Sequence, residues 1–328
     1  MKLCQFAIAD NKTVIGISCN NDKSVANAKA IYEKLKVPDE SNCLFSFPED
    51  IKSLIEVGEV GLSASREVLK ELSTSEGIHK YSEYIYPVDK TRFLAPITNP
   101  QKFFAIAINR HGGWDTAIKP EKPNPTYFIK LSSCIIGPHD TVKVPDVGQV
   151  GPEVELAIII GKEGKDIRPE HALQHVFGYT VHNDITAHQM RKTSEWIRMQ
   201  RADGSEEHLT YPGRYKNFDT FSPMGPWVVT PDMAPHPDKA ILNAWLNEDH
   251  VQNGSTKDHV YDAAKLITYL SKAHALVPGD IISTGTVGPV TPWTMATIDL
   301  GKTGGVISSE IEGLGRLCNP IEFVPGLK

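Results

Sequence analysis

Gly151-Pro-Glu-Val-Glu-Leu-Ala-Ile-Ile-Ile-Gly161 is the most informative stretch of this 328-residue chain. Side chains alternate along a strand, so Glu153 and Glu155 point to one face. Val154–Ile160 reads as a strand, and from Leu156 to Ile160 both its faces are apolar, the pattern of a buried one. Two carboxylates at the mouth of such a strand repel each other and are costly to bury without a cation. Either they sit idle at a solvated strand end or they hold a metal ion. Asp184 lies just past a second strand, in Gly178-Tyr-Thr-Val-His-Asn-Asp-Ile-Thr186, where it could join them. An Asn-Asp pair is also ordinary turn chemistry. Three carboxylates with no cysteine would select a hard ion, Mg²⁺ or Mn²⁺ first and Ca²⁺ next.

Further strands are expected at Phe103–Ile108, Tyr127–Leu131, Val176–Val181, Trp227–Thr230 and Ile241–Leu246. One strong helix follows Asp262, a plausible N-cap, with Leu266, Ile267, Leu270 and Ala273 as its stripe. Many strands with few helices between them argue against a doubly wound sheet and for a mixed, β-rich α+β fold. Residues 1–92 read as a small N-terminal α/β domain. Thr13–Cys19 is its strand, and helical spacing runs through Val25, Ala28, Ile31, Tyr32 and Leu35 and again through Val68, Leu69 and Leu72. Residues 93–328 read as a second, mixed-β domain. Lys192–Tyr215 is polar, carries both charge signs and reads as a long loop covering the site. Within it Trp196, Arg198 and Arg201 would favour an acidic or ring-bearing substrate tail.

Composition removes several classes of function. Thirty-four basic against forty acidic residues give a net charge of −6, so neither nucleic acid nor an anionic membrane is an expected partner. Apolar runs are too short to span a bilayer, and Gln5 and Asp10 break up any secretory segment. The five cysteines are scattered and odd in number, which fits reduced thiols and a cytoplasmic location. Gly301-Lys-Thr303 lacks the glycine a phosphate loop needs five residues earlier, where Ala296 stands. No serine-hydrolase elbow and no H-E-x-x-H zinc motif is present.

Taken together, the segments resemble the fumarylacetoacetate hydrolase family across about residues 93–324. The matching blocks include GPEVELAIIIGK at 151–162, VFGYTVHNDIT at 176–186, KNFDTFSPMGPWVVT at 216–230 and DAAKLITYLSKAHALVPGDIISTGT at 262–286. The resemblance implies a catalytic β-roll domain that dimerises, with Glu153, Glu155 and Asp184 holding Mg²⁺ or Mn²⁺. It also implies a catalytic Lys216, and Asn109, Gly285 and Thr286 on the substrate. Without it, Lys216 beside Arg214 would read as a surface lysine. In such a site a 2-oxo acid or 1,3-dicarbonyl chelates the ion, which polarises the carbonyl. The carbanion of a breaking carbon–carbon bond is stabilised as an enolate by the ion and Lys216. The expected activity is therefore metal-dependent hydrolysis of a carbon–carbon bond in an acylpyruvate or 1,3-diketone acid. The alternative is decarboxylation, tautomerisation or hydration of an oxaloacetate-like 2-oxo acid through the same kind of enolate. A third possibility is a binding protein that keeps the metal without turnover.

Two segments depart from the family. Its hydrolases carry a His and a Glu, three residues apart, in a lid following Ala105–Asn109, and they activate water. Here Gly113 and Thr116 occupy those positions, with His111 and Asp115 the nearest substitute dyad. After Asp184 the family continues A-R-D, where this chain has Ala187-His-Gln189. His188 reads either as a displaced base or as a helix-start residue packing on a strand, with the second preferred.

Overall fold

A computed structural model describes residues 1–35, 45–110 and 124–326. Its organising feature is a sheet of eleven strands among the described residues. Across the sheet run Ile85–Pro87, Ser24–Asn27, Thr13–Cys19, Lys2–Ala7, Val228–Val229, Val176–Asn183, Val154–Ile160, Ile281–Thr286, Phe103–Ala107 and Thr126–Ile129. Arg92–Leu94 pairs with Lys2–Ala7 off this path. A five-stranded sheet orders Asp249–Ser255, Ile241–Leu246, Gly305–Ile311, Gly315–Val324 and Val142–Pro145. The two sheets share one core, in which Leu156 and Ile158 meet Leu242, Ala244 and Ile307. The β-rich α+β class expected from the sequence is therefore borne out.

The helices of the first segment cover one face of the large sheet. Ile31, Leu54, Val68 and Leu72 pack with Leu3, Ile15 and Ile17, and the same cluster extends to Ala157, Ile159 and Ile281. The sheet is continuous between the first segment and the rest, through Lys2 opposite Val229 and Leu3 opposite Val228. Leu156–Ile160 is apolar on both faces because both faces are covered, one by each cluster. Helix Ala263–Ala273 starts where expected, with Asp262 accepting from the Lys265 amide at 2.7 Å.

Two expectations needed correction. The helical spacing from Val25 begins inside a strand, because Ser24–Asn27 pairs with Thr13–Cys19 and the helix starts only at Ala28. The Val25 side chain occupies the space left by Gly16, whose Cβ would lie 2.4 Å from it. Lys192–Tyr215 is not a loop throughout. It holds the end of helix His188–Thr193 and a hairpin, Trp196–Gln200 against Glu206–Thr210. Arg198 pairs with Glu206 and Arg201 with Glu207, and Trp196 stacks on His208 at 5.1 Å. Mixed charge there reflects complementary pairing within a hairpin. Among the described residues, no helix is long and apolar enough to cross a membrane.

Candidate metal centre and active site

Val154–Ile160 is flanked by Val176–Asn183 and Ile281–Thr286, so its first end opens at a junction of three strands. The Glu153 amide donates to Asn183 Oδ1 (3.0 Å) and the Asp184 amide to the Glu153 carbonyl (2.8 Å). These bonds draw Asp184 against Glu153. Ligand oxygens of Glu153, Glu155 and Asp184 lie within 4.8 Å of one another. The three residues are 7%, 1% and 1% exposed, which removes the solvated strand end as a reading.

Two ammonium groups share this pit with the carboxylates. Lys216 Nζ lies 2.8 Å from Glu153 Oε2 and 2.5 Å from Asp184 Oδ2. Lys216 is buried, so it is not the surface lysine its basic neighbourhood suggested. Lys130 Nζ lies 2.8 Å from Asp184 Oδ1 and also donates to the carbonyls of Lys216 and Phe221. Sequence reading had assigned Lys130 no role. Its signal was a lysine inside the apolar run Tyr127–Leu131.

Burial, followed by the neighbouring Asp184 charge, pushes the Glu155 carboxyl up to about 8. Burial acts the same way on Asp184, but Lys130 and Lys216 outweigh it and hold Asp184 below the usual carboxylate range. Lys216 is held above its ordinary value despite burial, because Asp184 and Glu153 stabilise its charge. Once Glu155 gives up its proton, three carboxylates face two ammonium groups and leave one negative charge in excess. An all-oxygen, buried, electronegative donor set of this kind fits Mg²⁺ or Mn²⁺.

Glu155 is held from behind. Its Oε2 accepts from Ser283 Oγ (2.6 Å) and from the Gly285 amide (2.9 Å). Because the only Ser283 hydroxyl proton points at Glu155, Ser283 Oγ must accept from His182 Nδ1, 2.7 Å away. The imidazole is thereby fixed with its proton on Nδ1, and burial, lowering it to about 3, keeps it neutral. Gly285 has φ +98, and a Cβ there would lie 2.8 Å from that of Asn109. Asn109 donates to the carbonyls of Tyr261 (3.0 Å) and Thr284 (2.7 Å) and accepts from the Tyr261 amide (2.9 Å). The Gly285 amide and the Asn109 side chain thus hold the scaffold of the site, and Asn109 also lines the cavity. Thr286 does line the cavity, where its Oγ1 also accepts from Gln252 Nε2 at 3.2 Å.

His188 begins helix His188–Thr193 and is buried, with Nε2 3.8 Å from Glu153 Oε1. Burial and then the Lys216 charge lower it to about 3, so it is neutral and packs on the site without adding charge. Glu153, Glu155 and Lys216 open into a cavity of about 280 Å³ that Ile106, Tyr127, Phe128, Tyr215 and Arg191 also line. At its rim Ile108 has φ +53, a strained conformation for a β-branched residue. The substitute dyad, His111 and Asp115, lies outside the described residues. Arg198, Arg201 and Trp196 do not line the cavity. The foot of the hairpin does, through Thr210 and Pro212.

Comparison with known proteins agrees with this geometry. A profile for the fumarylacetoacetate hydrolase C-terminal domain matches residues 108–322. The oxaloacetate tautomerase fahd2 of Xenopus laevis, named as mitochondrial, is 32% identical over 326 residues, covering 98% of this chain and 90% of that one. Maleylpyruvate hydrolase from Sphingobium sp. SYK-6, solved with manganese (II) and pyruvate, superimposes with TM-score 0.68 at 26% identity, over 98% of this chain and 99% of that one. Fumarylacetoacetate hydrolase from Exiguobacterium antarcticum gives 0.72 at 26% identity, over 99% and 100%. Matched by that profile over most of its length and by a relative at 32% identity along nearly the whole chain, the protein belongs to the fumarylacetoacetate hydrolase family.

Proposed function

We propose that this protein is a divalent-metal enzyme interconverting or decarboxylating an oxaloacetate-like 2-oxo acid through its enolate. The observation that carries the reading is Lys216, a buried cation held between Glu153 and Asp184 at the cavity floor. A Mg²⁺ or Mn²⁺ ion held by Glu153, Glu155 and Asp184 would polarise the 2-oxo carbonyl and favour loss of a proton or carboxylate from the next carbon. Lys216 keeps its charge at neutral pH, so it can neutralise a developing enolate oxygen but does not serve as the base. The apolar walls Ile106 and Phe128 limit water, which favours enolate chemistry over hydrolysis. Gly113 and Thr116, at the positions of the hydrolytic dyad, point the same way. The tautomerase relative supports this branch.

Hydrolytic cleavage of an acylpyruvate is the second reading. It is supported by the likeness to maleylpyruvate hydrolase, with His111 and Asp115 then supplying the base. A homodimer would give a light-scattering mass near twice 36.2 kDa. The cytoplasmic location rests on the scattered thiols, whereas the named relative is mitochondrial.

The test uses metal-stripped protein with and without Mn²⁺, on oxaloacetate and on acylpyruvates. Loss of the enol ultraviolet band is followed together with product analysis. Metal-dependent loss of the oxaloacetate enol without acylpyruvate cleavage supports the proposal. Cleavage into pyruvate and a carboxylic acid, abolished in His111→Ala, replaces it with the hydrolase.

A further inference from the structure

One cation on the cavity wall has no part in the metal centre. Arg191 lines the cavity and is half-buried, and among the described residues no carboxylate lies within ion-pair distance of it. Other arginines in this part of the chain have partners, Arg214 lying over the Phe218 ring at 5.6 Å. Arg198 and Arg201 pair with Glu206 and Glu207 on the exposed hairpin, and Arg110 sits in the field of Asp258. Holding an unpaired guanidinium partly out of water is unfavourable unless an anion arrives to match it.

Its position follows from the helix. His188 and Arg191 are three residues apart on His188–Thr193 and share a face, with Cβ atoms roughly 5–6 Å apart. His188 packs against Glu153, so Arg191 stands about one helical turn away from the carboxylate triad. Tyr215 and Thr210 are on the same side of the cavity, and Tyr215 hydrogen-bonds Thr210. The cavity is thus bipolar, with a triad for a cation at its floor and an unmatched guanidinium and two hydroxyls on its wall. A separation of about one helical turn, ~5 Å, is of the order of the length of an extended four-carbon diacid.

We infer that Arg191 is the specificity-determining residue of this site, binding the distal carboxylate of a dicarboxylic 2-oxo or 2-hydroxy acid whose other end meets the metal triad. The inference rests on the proposed function and deepens it by naming the substrate class. A guanidinium grips a carboxylate through two parallel N–H···O bonds, which a methyl group in the same place cannot accept.

The test is calorimetric titration of Mn²⁺-loaded protein with L-malate and with 2-hydroxybutanoate. Both have the same 2-hydroxy acid head, and the second carries a methyl where malate has its distal carboxylate. Malate should bind at least about tenfold more tightly. Arg191→Gln should bring malate to the level of 2-hydroxybutanoate and leave the latter unchanged. Arg191→Lys, which keeps the charge without the fork, should fall between them. Neither change removes an ion pair among the described residues, and far-ultraviolet circular dichroism checks that both variants fold. Equal binding of the two acids by the native protein overturns the inference, as does a malate preference that survives Arg191→Gln. Turnover is read separately. An Arg191-dependent preference without oxaloacetate turnover would sink the proposed reaction alone, and turnover without the preference would sink this inference alone.

Discussion

Lys130→Met offers the sharpest test of how the site is held together. The substitution keeps an unbranched side chain one atom shorter and removes its charge. Lys130 Nζ is fully enclosed, 2.8 Å from Asp184 Oδ1, and donates to two backbone carbonyls that would lose their partner. Removing one member of a buried ion pair costs about 3–5 kcal/mol; here Asp184 would keep Lys216 as its remaining cation while the two carbonyls lose a donor. A 328-residue chain unfolds with an entropy of about 0.7 kcal/mol per kelvin, so the midpoint should fall by about 4–7 °C. Calorimetry or circular dichroism on metal-stripped protein measures it. Saturating Mn²⁺ should narrow the gap, since the ion restores a positive charge beside Asp184. A stripped variant melting within about 1 °C of the native protein would refute the reasoning, because Lys130 would then not be compensating Asp184.

Metal-free protein should lose stability as pH rises between about 5 and 8. Glu155 is raised from 4.5 to about 8 in the fold, so its contribution is present below the unfolded value and lost on passing through the folded one. Mn²⁺ should therefore raise the melting midpoint more at pH 8 than at pH 6, and its binding should release a proton, read from calorimetry in buffers of different ionisation enthalpy. An increment independent of pH would contradict this. Ser283→Ala removes one of the two donors that orient Glu155, and Mn²⁺ affinity should fall about 10–100-fold with the fold intact. Gly285→Ala places a Cβ at φ +98 and 2.8 Å from Asn109 Cβ. It should cost about 1–3 kcal/mol in urea titration, and an unchanged midpoint would show that the turn relaxes freely.

Much of the fold was legible because burial leaves a trace in local pattern. Val154–Ile160 and Ile241–Leu246 were read with their bounds intact, one from apolar character on both faces and the other from its short apolar segment. Lys2–Ala7 was missed because Gln5 interrupts it. In the fold the Gln5 amide donates to the Ala95 carbonyl and accepts from the Ile51 amide, so a polar residue is satisfied inside the sheet. The hairpin Trp196–Thr210 was missed because charges that pair across strands look like loop composition in one dimension.

The sequence by itself determined the three carboxylates and the strand ends that present them, because alternation along a strand is a local property. Its likeness to a family added Lys216 and the metal. Only the tertiary structure decided which cations answer those carboxylates, which carboxyl holds a proton, and which arginine faces the cavity. Lys130 is 54 positions before Asp184 and Ser283 is 128 positions after Glu155, yet each touches its partner. Charge interactions depend on distance and on exclusion of water, and neither is a function of separation along the chain.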